Sequence, residues 1–153
     1  KEQRLVADYI ESVLRPFAKD IERGEAHTVR AADIVHLRSD FSFSLNNTYA
    51  LGQLLKALHP TPAVCGLPKT DTYRFITDNE HTPRSYYSGF MGPLNPDGDT
   101  HLYVSLRCMR ICGSHCKLYA GGGLLADSEE QQEWNETEEK LKTMRQVLGE
   151  IEL

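Results

Sequence analysis

Through residues 2 to 23, apolar side chains recur at three- and four-residue intervals. Leu5, Val6, Tyr9, Ile10, Val13, Leu14 and Phe17 make the stripe of an amphipathic helix, with Gly24 just past its end. The chain opens on Lys1-Glu2-Gln3-Arg4, already inside that pattern and without an initiator Met or an N-capping residue. A piece of a longer chain is therefore expected. From Val35 to Leu45 the period changes to two. Val35, Leu37, Phe41, Phe43 and Leu45 share one parity against Arg38, Asp40, Ser42 and Ser44, which predicts one or two antiparallel strands. Thr48 is placed to cap a short helix through Leu58, and a second helix follows Pro68 to about Asn79. Between them, the prolines of His59-Pro60-Thr61-Pro62-Ala63-Val64-Cys65-Gly66 argue against regular structure.

The segments Tyr86 to Leu94, Thr100 to Ile111 and Cys116 to Leu125 read as three strands of a β-meander. They are separated by Asn95-Pro96-Asp97-Gly98-Asp99 and by Gly113-Ser114. If Gly113-Ser114 is a two-residue turn, Cys112 faces His115, and counting outward sets Arg107 opposite Ala120. A first hairpin centred on Asp97-Gly98 sets Arg107 opposite Ser88, beside Tyr87; a slip of one residue is within reach. Tyr87, Arg107 and Gly121-Gly122-Gly123 then gather at one end of the sheet. Ser128 with Gln131 makes a capping-box start, and Trp134, Leu141, Met144 and Leu148 continue as the apolar stripe of a last helix. Glu133, Glu136 and Lys140, at i, i+3 and i+7, share a neighbouring stripe. These elements predict an α+β architecture, an antiparallel sheet with helices packed mainly on one face.

The 153 residues fit one domain of average size, 40% apolar and 25% charged, which excludes a disordered tail or a fibrous repeat. The net charge of -5 gives no general electrostatic reason to bind nucleic acid or an acidic membrane, so an anionic ligand must be held by local groups. No apolar run approaches the ~20 residues needed to cross a bilayer, and no signal-peptide order opens the chain, so the cytoplasm is the expected location. Cys108, Cys112 and Cys116 lie four apart, a spacing wider than zinc pairs favour, and with Cys65 they are expected to be reduced and structural.

Three features carry candidate chemistry. The Gly121-Gly122-Gly123 run follows a strand and precedes a helix, so its N–H groups are open to an anion, although a glycine bulge explains the run equally well. An inward Arg107 beside it suits a carboxylate, which guanidinium pairs two-pronged; a surface arginine is the plain alternative. Glu133 and Glu136 offer the hard oxygens that Mg²⁺ prefers, and together with Lys140 they also read as a solvated, salt-bridged helix face. His59 and Tyr87 decide nothing alone.

Taken together, these residues resemble the chorismate-utilising enzymes, the isochorismate, salicylate, anthranilate and aminodeoxychorismate synthases. The likeness runs over essentially the whole chain and corresponds to the C-terminal part of their catalytic domain. It rests on His59-Pro60-Thr61-Pro62-Ala63 with Gly66 and Pro68, on Arg84 through Tyr87-Ser88-Gly89 to Gly92, and on Ser105-Leu106-Arg107-Cys108. Ala120-Gly121-Gly122-Gly123 and Glu133-Trp134-Asn135-Glu136-Thr137 followed by Lys140 complete it. The His-Pro-Thr-Pro-Ala form is more like isochorismate synthases than like the amine-forming relatives.

The resemblance implies that Glu136 is a Mg²⁺ ligand, that Glu133 supports the metal through water, and that Glu2 is the other metal-binding glutamate. By the same likeness Tyr87 and Arg107 bind a carboxylate of chorismate. Gly121, Gly123 and Lys140 contact the substrate-metal site, and the loop with His59, Thr61 and Ala63 lines the same pocket. The implied reaction is an isomerisation: water adds at C2 of chorismate and the C4 hydroxyl leaves, with Mg²⁺ holding the ring carboxylate. The family's general-base lysine and general-acid glutamate lie upstream of the matched segment, so these residues alone are expected to be inactive. The missing N-terminal portion is expected as the natural partner, and without it the segment is expected to self-associate. Salicylate synthase, an anthranilate-type synthase and a noncatalytic carboxylate-binding or assembly module are the competing readings. The sequence leaves open whether the product serves menaquinone or a siderophore.

Overall fold

The computed structural model describes residues 2–31, 34–95 and 98–150. The fold is α+β, and its described strands pair antiparallel in four two-stranded ladders. Two compact units divide the chain, Lys1–Ile76 and Thr77–Leu153.

In the first unit, helix α1 (Glu2–Leu14) buries Ala7 and Leu14 and packs on the helices that follow. The helix stops nine residues short of the expected end because Pro16 has no N–H to continue the ladder and its ring clashes with the preceding turn. Residues 18–23 instead form β1 (Ala18–Arg23), which pairs with β4 (Phe41–Leu45) around a bulge at Asp20, where φ is 53°. Gly24 is thus no helix cap; its N–H donates to the Asp40 carbonyl at 2.9 Å and carries the pairing onward. Strands β2 (His27–Ala31) and β3 (Ile34–Arg38) pair from His27↔Arg38 to Ala31↔Ile34. The alternating stretch from Val35 to Leu45 therefore holds two strands, and Val35, Leu37 and Phe43 stay exposed.

The next helix begins one residue earlier than its expected cap. Asn47, not Thr48, accepts the Tyr49 N–H (2.9 Å) and starts a 3₁₀ turn, Thr48–Ala50, which runs into α2 (Leu51–Leu58). Lys69 Nζ donates to the carbonyls of Ala57 (3.0 Å) and His59 (3.2 Å), satisfying acceptors that the end of α2 leaves open. The proline-rich segment is not wholly irregular. Pro62 starts a single turn, α3 (Pro62–Cys65), where its missing N–H costs nothing, and Gly66 at φ 77° turns the chain out of it. Helix α4 (Lys69–Asn79) follows as expected.

In the second unit the expected three-stranded meander is two hairpins. Strand β5 (Phe90–Met91) pairs with β6 (Tyr103–Val104), and β7 (Cys108–Cys112) with β8 (His115–Tyr119). Backbone bends cut the long strands short: Ser85, Ser88 and Arg107 all have positive φ, incompatible with a continuous ladder. The turn at Gly113-Ser114 and the facing of Cys112 with His115 are as expected, with Gly113 at φ 57°. The first hairpin slips by one from the register that sets Arg107 opposite Ser88: Phe90 faces Val104, and Ser105 exchanges bonds with the Ser88 N–H (2.8 Å) and the Gly89 carbonyl (2.7 Å). Asp97, the centre assigned to that turn, lies outside the described residues. Helix α5 (Glu130–Glu150) closes the unit against β8. Trp134, expected in its buried stripe, is 62% exposed.

Candidate functional site

Strand β8 ends on buried Tyr119, and the glycine run leaves it at once. The Tyr87 ring stacks on Tyr119 with centroids 5.7 Å apart and planes 17° from parallel. That stack aims the Tyr87 phenol at the glycine run: a Cβ on Gly121 would meet its oxygen at 2.6 Å, so only a hydrogen fits. Burial pushes the Tyr87 pKa up, and the opposing pull of nearby Arg84 and of the hydrogen bond with Ser88 does not cancel it. The phenol is accordingly protonated at neutral pH and free to act as a donor.

Arg84 braces this corner. Its guanidinium lies 5.8 Å from the Tyr87 ring centre, grips the Glu80 carboxylate two-pronged, and reaches the hydroxyl of buried Ser88 at 3.3 Å. Neither Glu80 nor the brace was expected from the sequence, although their i, i+4 spacing at the end of α4 is the visible signal. Gly121→Ala must push the Tyr87 ring off Tyr119. We expect a loss of ~1–3 kcal/mol in denaturant unfolding together with altered near-ultraviolet tyrosine dichroism.

Facing the same glycines, the first turns of α5 present the expected stripe. Lys140 Nζ donates to the Gly121 carbonyl at 3.1 Å and pairs with Glu136 Oε1 at 2.5 Å. A Cβ on Gly122 would lie 3.3 Å from Glu133 Oε2 and 3.9 Å from Lys140 Nζ. The helix start is not the expected capping box with Gln131. Ser128 Oγ accepts the Leu125 N–H (3.0 Å) and donates to Glu133 Oε1 (2.5 Å), while Gln131 bonds Asn135. Glu133, Glu136, Lys140, Gly121, Gly122 and Tyr87 thus converge, and two hard carboxylates one helical turn apart suit Mg²⁺, which takes its remaining oxygens from water and ligand.

The other expected residues stand as follows. Arg107 is half-buried at φ 47°, immediately before the Cys108↔Tyr119 pair, where the β7–β8 ladder ends and the expected pairing with Ala120 would begin. Gly123 is exposed. His59, Thr61 and Ala63 belong to the first unit, where burial and the charge of Lys69 lower the His59 pKa and keep its imidazole neutral at pH 7. Glu2 opens α1 in that unit, and its side chain lies outside what is described. The four cysteines are free thiols; in the β7–β8 ladder Cys116 pairs with Ile111 and Cys112 with His115, which puts Cys112 and Cys116 on opposite faces.

Residues 1–149 match a family model described as chorismate binding enzyme. The salicylate biosynthesis isochorismate synthase of Pseudomonas aeruginosa is 35% identical over 151 residues, covering 98% of this chain and 32% of that protein. The isochorismate synthase DhbC of Bacillus subtilis is 33% identical, covering 97% of this chain and 38% of that protein. Among solved structures, DhbC from Bacillus anthracis matches with a TM-score of 0.90 at 31% identity over 97% of this chain and 40% of that one. MenF, the menaquinone-specific isochorismate synthase from Escherichia coli, gives 0.86 at 33% identity over 96% and 34%. The chain spans between about a third and two-fifths of the length of these relatives.

Proposed function

The chain belongs to the chorismate binding enzyme family, and from that premise we propose that it is the chorismate- and magnesium-binding C-terminal part of an isochorismate synthase. The convergence of Glu133, Glu136 and Lys140 on the Gly121-Gly122 backbone carries this reading. Carboxylates and an ammonium gathered on side-chain-free backbone are contradictory in a site for a simple anion and coherent in one that takes an anion and a divalent cation together.

In this reading the protonated Tyr87 phenol and the Arg107 guanidinium bind a substrate carboxylate, the phenol as a single donor and the guanidinium as a two-pronged one. The N–H groups of Gly121 and Gly123 approach the same ligand without side-chain obstruction. Glu136 is the metal ligand on α5, and Glu133 supports it through water. Lys140 keeps the glycine run and Glu136 in mutual register. When bound, Mg²⁺ supplies a Lewis acid that holds and polarises the ring carboxylate. None of these residues matches the family's general base or acid, so turnover draws on residues outside this segment, and the segment alone is inactive and prone to self-association. Among the described residues no helix is long and apolar enough to cross a membrane; the cytoplasm is the location that belongs to this reading.

The test is product analysis with the natural full-length chain carrying this segment, incubated with chorismate with and without Mg²⁺. Isochorismate formed only with the metal is the expected result. Salicylate with pyruvate, or anthranilate in the presence of ammonia, would move the protein to a sister activity, and chorismate binding without turnover would make it a noncatalytic module. Turnover by the 153 residues alone would overturn the division of labour.

A further inference from the structure

The reading of Glu133 leaves open what fixes its orientation, and the hydrogen bonds at the start of α5 answer this. A serine hydroxyl has one proton. Ser128 Oγ accepts the Leu125 N–H at 3.0 Å, while its own N–H donates to the Leu125 carbonyl at 3.0 Å, so the backbone holds the residue from both sides. The hydroxyl proton then points along the 2.5 Å contact to Glu133 Oε1, whose oxygen accepts it. With Oε1 so engaged, Oε2 is the oxygen turned to the glycine run, 3.3 Å from the Cβ position of Gly122. A hydrogen there, and no larger group, leaves that oxygen approachable.

We propose that Ser128 is a positioning residue: clamped by Leu125, it ties down one oxygen of Glu133 and presents the other over the Gly122 backbone to a hydrated divalent cation. This rests on the reading of Glu133 as the acid that supports the metal. Ser128 itself touches neither metal nor substrate, and its influence passes wholly through Glu133.

Binding of Mn²⁺, an EPR-visible substitute for Mg²⁺, to the natural full-length chain tests the proposal, together with the carboxyl ¹³C resonance of Glu133 in the metal-free protein. Ser128→Ala is expected to shift that resonance and to weaken Mn²⁺ binding about tenfold. Ser128→Thr is expected to recover most of the affinity. In a Glu133→Ala background Ser128→Ala should add nothing, because the group it acts through is gone. A resonance that stays in place, or an undiminished further loss in the Glu133→Ala background, would overturn the proposal. A wild-type chain that binds no Mn²⁺ while the resonance still moves would sink the magnesium reading and leave the positioning role standing. Should Ser128→Ala unfold, Ser128→Cys, which keeps the volume and weakens the donor, takes its place in each comparison.

Discussion

Glu136→Gln in the natural full-length chain is expected to lower Mg²⁺-dependent isochorismate formation by about 100-fold or more, and Glu129→Gln by less than about threefold. Both changes keep the side-chain shape and remove one negative charge, so the comparison isolates position. Glu136 shares its face of α5 with Lys140, whose ammonium touches both it and the Gly121 carbonyl. Glu129 sits just ahead of the helix, and its carboxylate accepts from the Gln132 side chain at 2.7 Å. Its backbone carbonyl, which accepts the N–H groups of Gln132 and Glu133, is untouched by the substitution. Initial rates against Mg²⁺ concentration are the measurement. Equal losses in the two variants would mean that the site faces another side of the helix.

Gly92→Ala is expected to have the largest effect on stability. A Cβ there would collide with the His101 carbonyl oxygen and lie 2.9 Å from its carbon and 3.1 Å from the Leu102 Cα, all main-chain atoms of the segment that leads into β6. No rotamer change relieves such a contact; the β5–β6 hairpin has to separate, and its pairing continues past Met91 to the His101 N–H bond with Pro93. The expected cost is ~3 kcal/mol or more, a fall of roughly 6–12 °C in Tm for a chain of this size. Gly52→Ala, on α2 with open space around it, is the matched control and should leave Tm unchanged or slightly raised. A Gly92→Ala protein that melts with the wild type would show that the hairpin is looser than described.

Helix faces and the tight turn were legible in the sequence because both depend on local rules. The stripe of Glu133, Glu136 and Lys140 follows from helical spacing alone, and Gly113-Ser114 from the backbone freedom a two-residue turn demands. The end of α1 is equally written in Pro16, although the apolar stripe itself runs on past it to Phe17. The broken strands were not legible. Arg107 at positive φ is a conformation no side-chain alternation announces, and the one-residue slip of the first hairpin depends on a turn with several possible lengths. Ser128 was visible as a helix-start residue, yet its bond runs to a side chain five positions on rather than to the backbone, which cap rules do not foresee. The brace of Arg84 and Glu80 on Ser88 needed the fold to bring a helix end against a turn.

The contact between Lys140 and Glu136 bears on how this face of α5 responds to other charges. Glu136 is more than half in solvent, and an ion pair so placed holds by no more than ~1 kcal/mol. Lys140 therefore holds Glu136 lightly: it offsets negative charge at the helix start and keeps the loop seated through the Gly121 carbonyl, in an ion pair that is exchanged at little cost. Because the ammonium is also moored to the Gly121 carbonyl, loss of the Glu136 contact would leave it pivoting about the glycine run rather than departing.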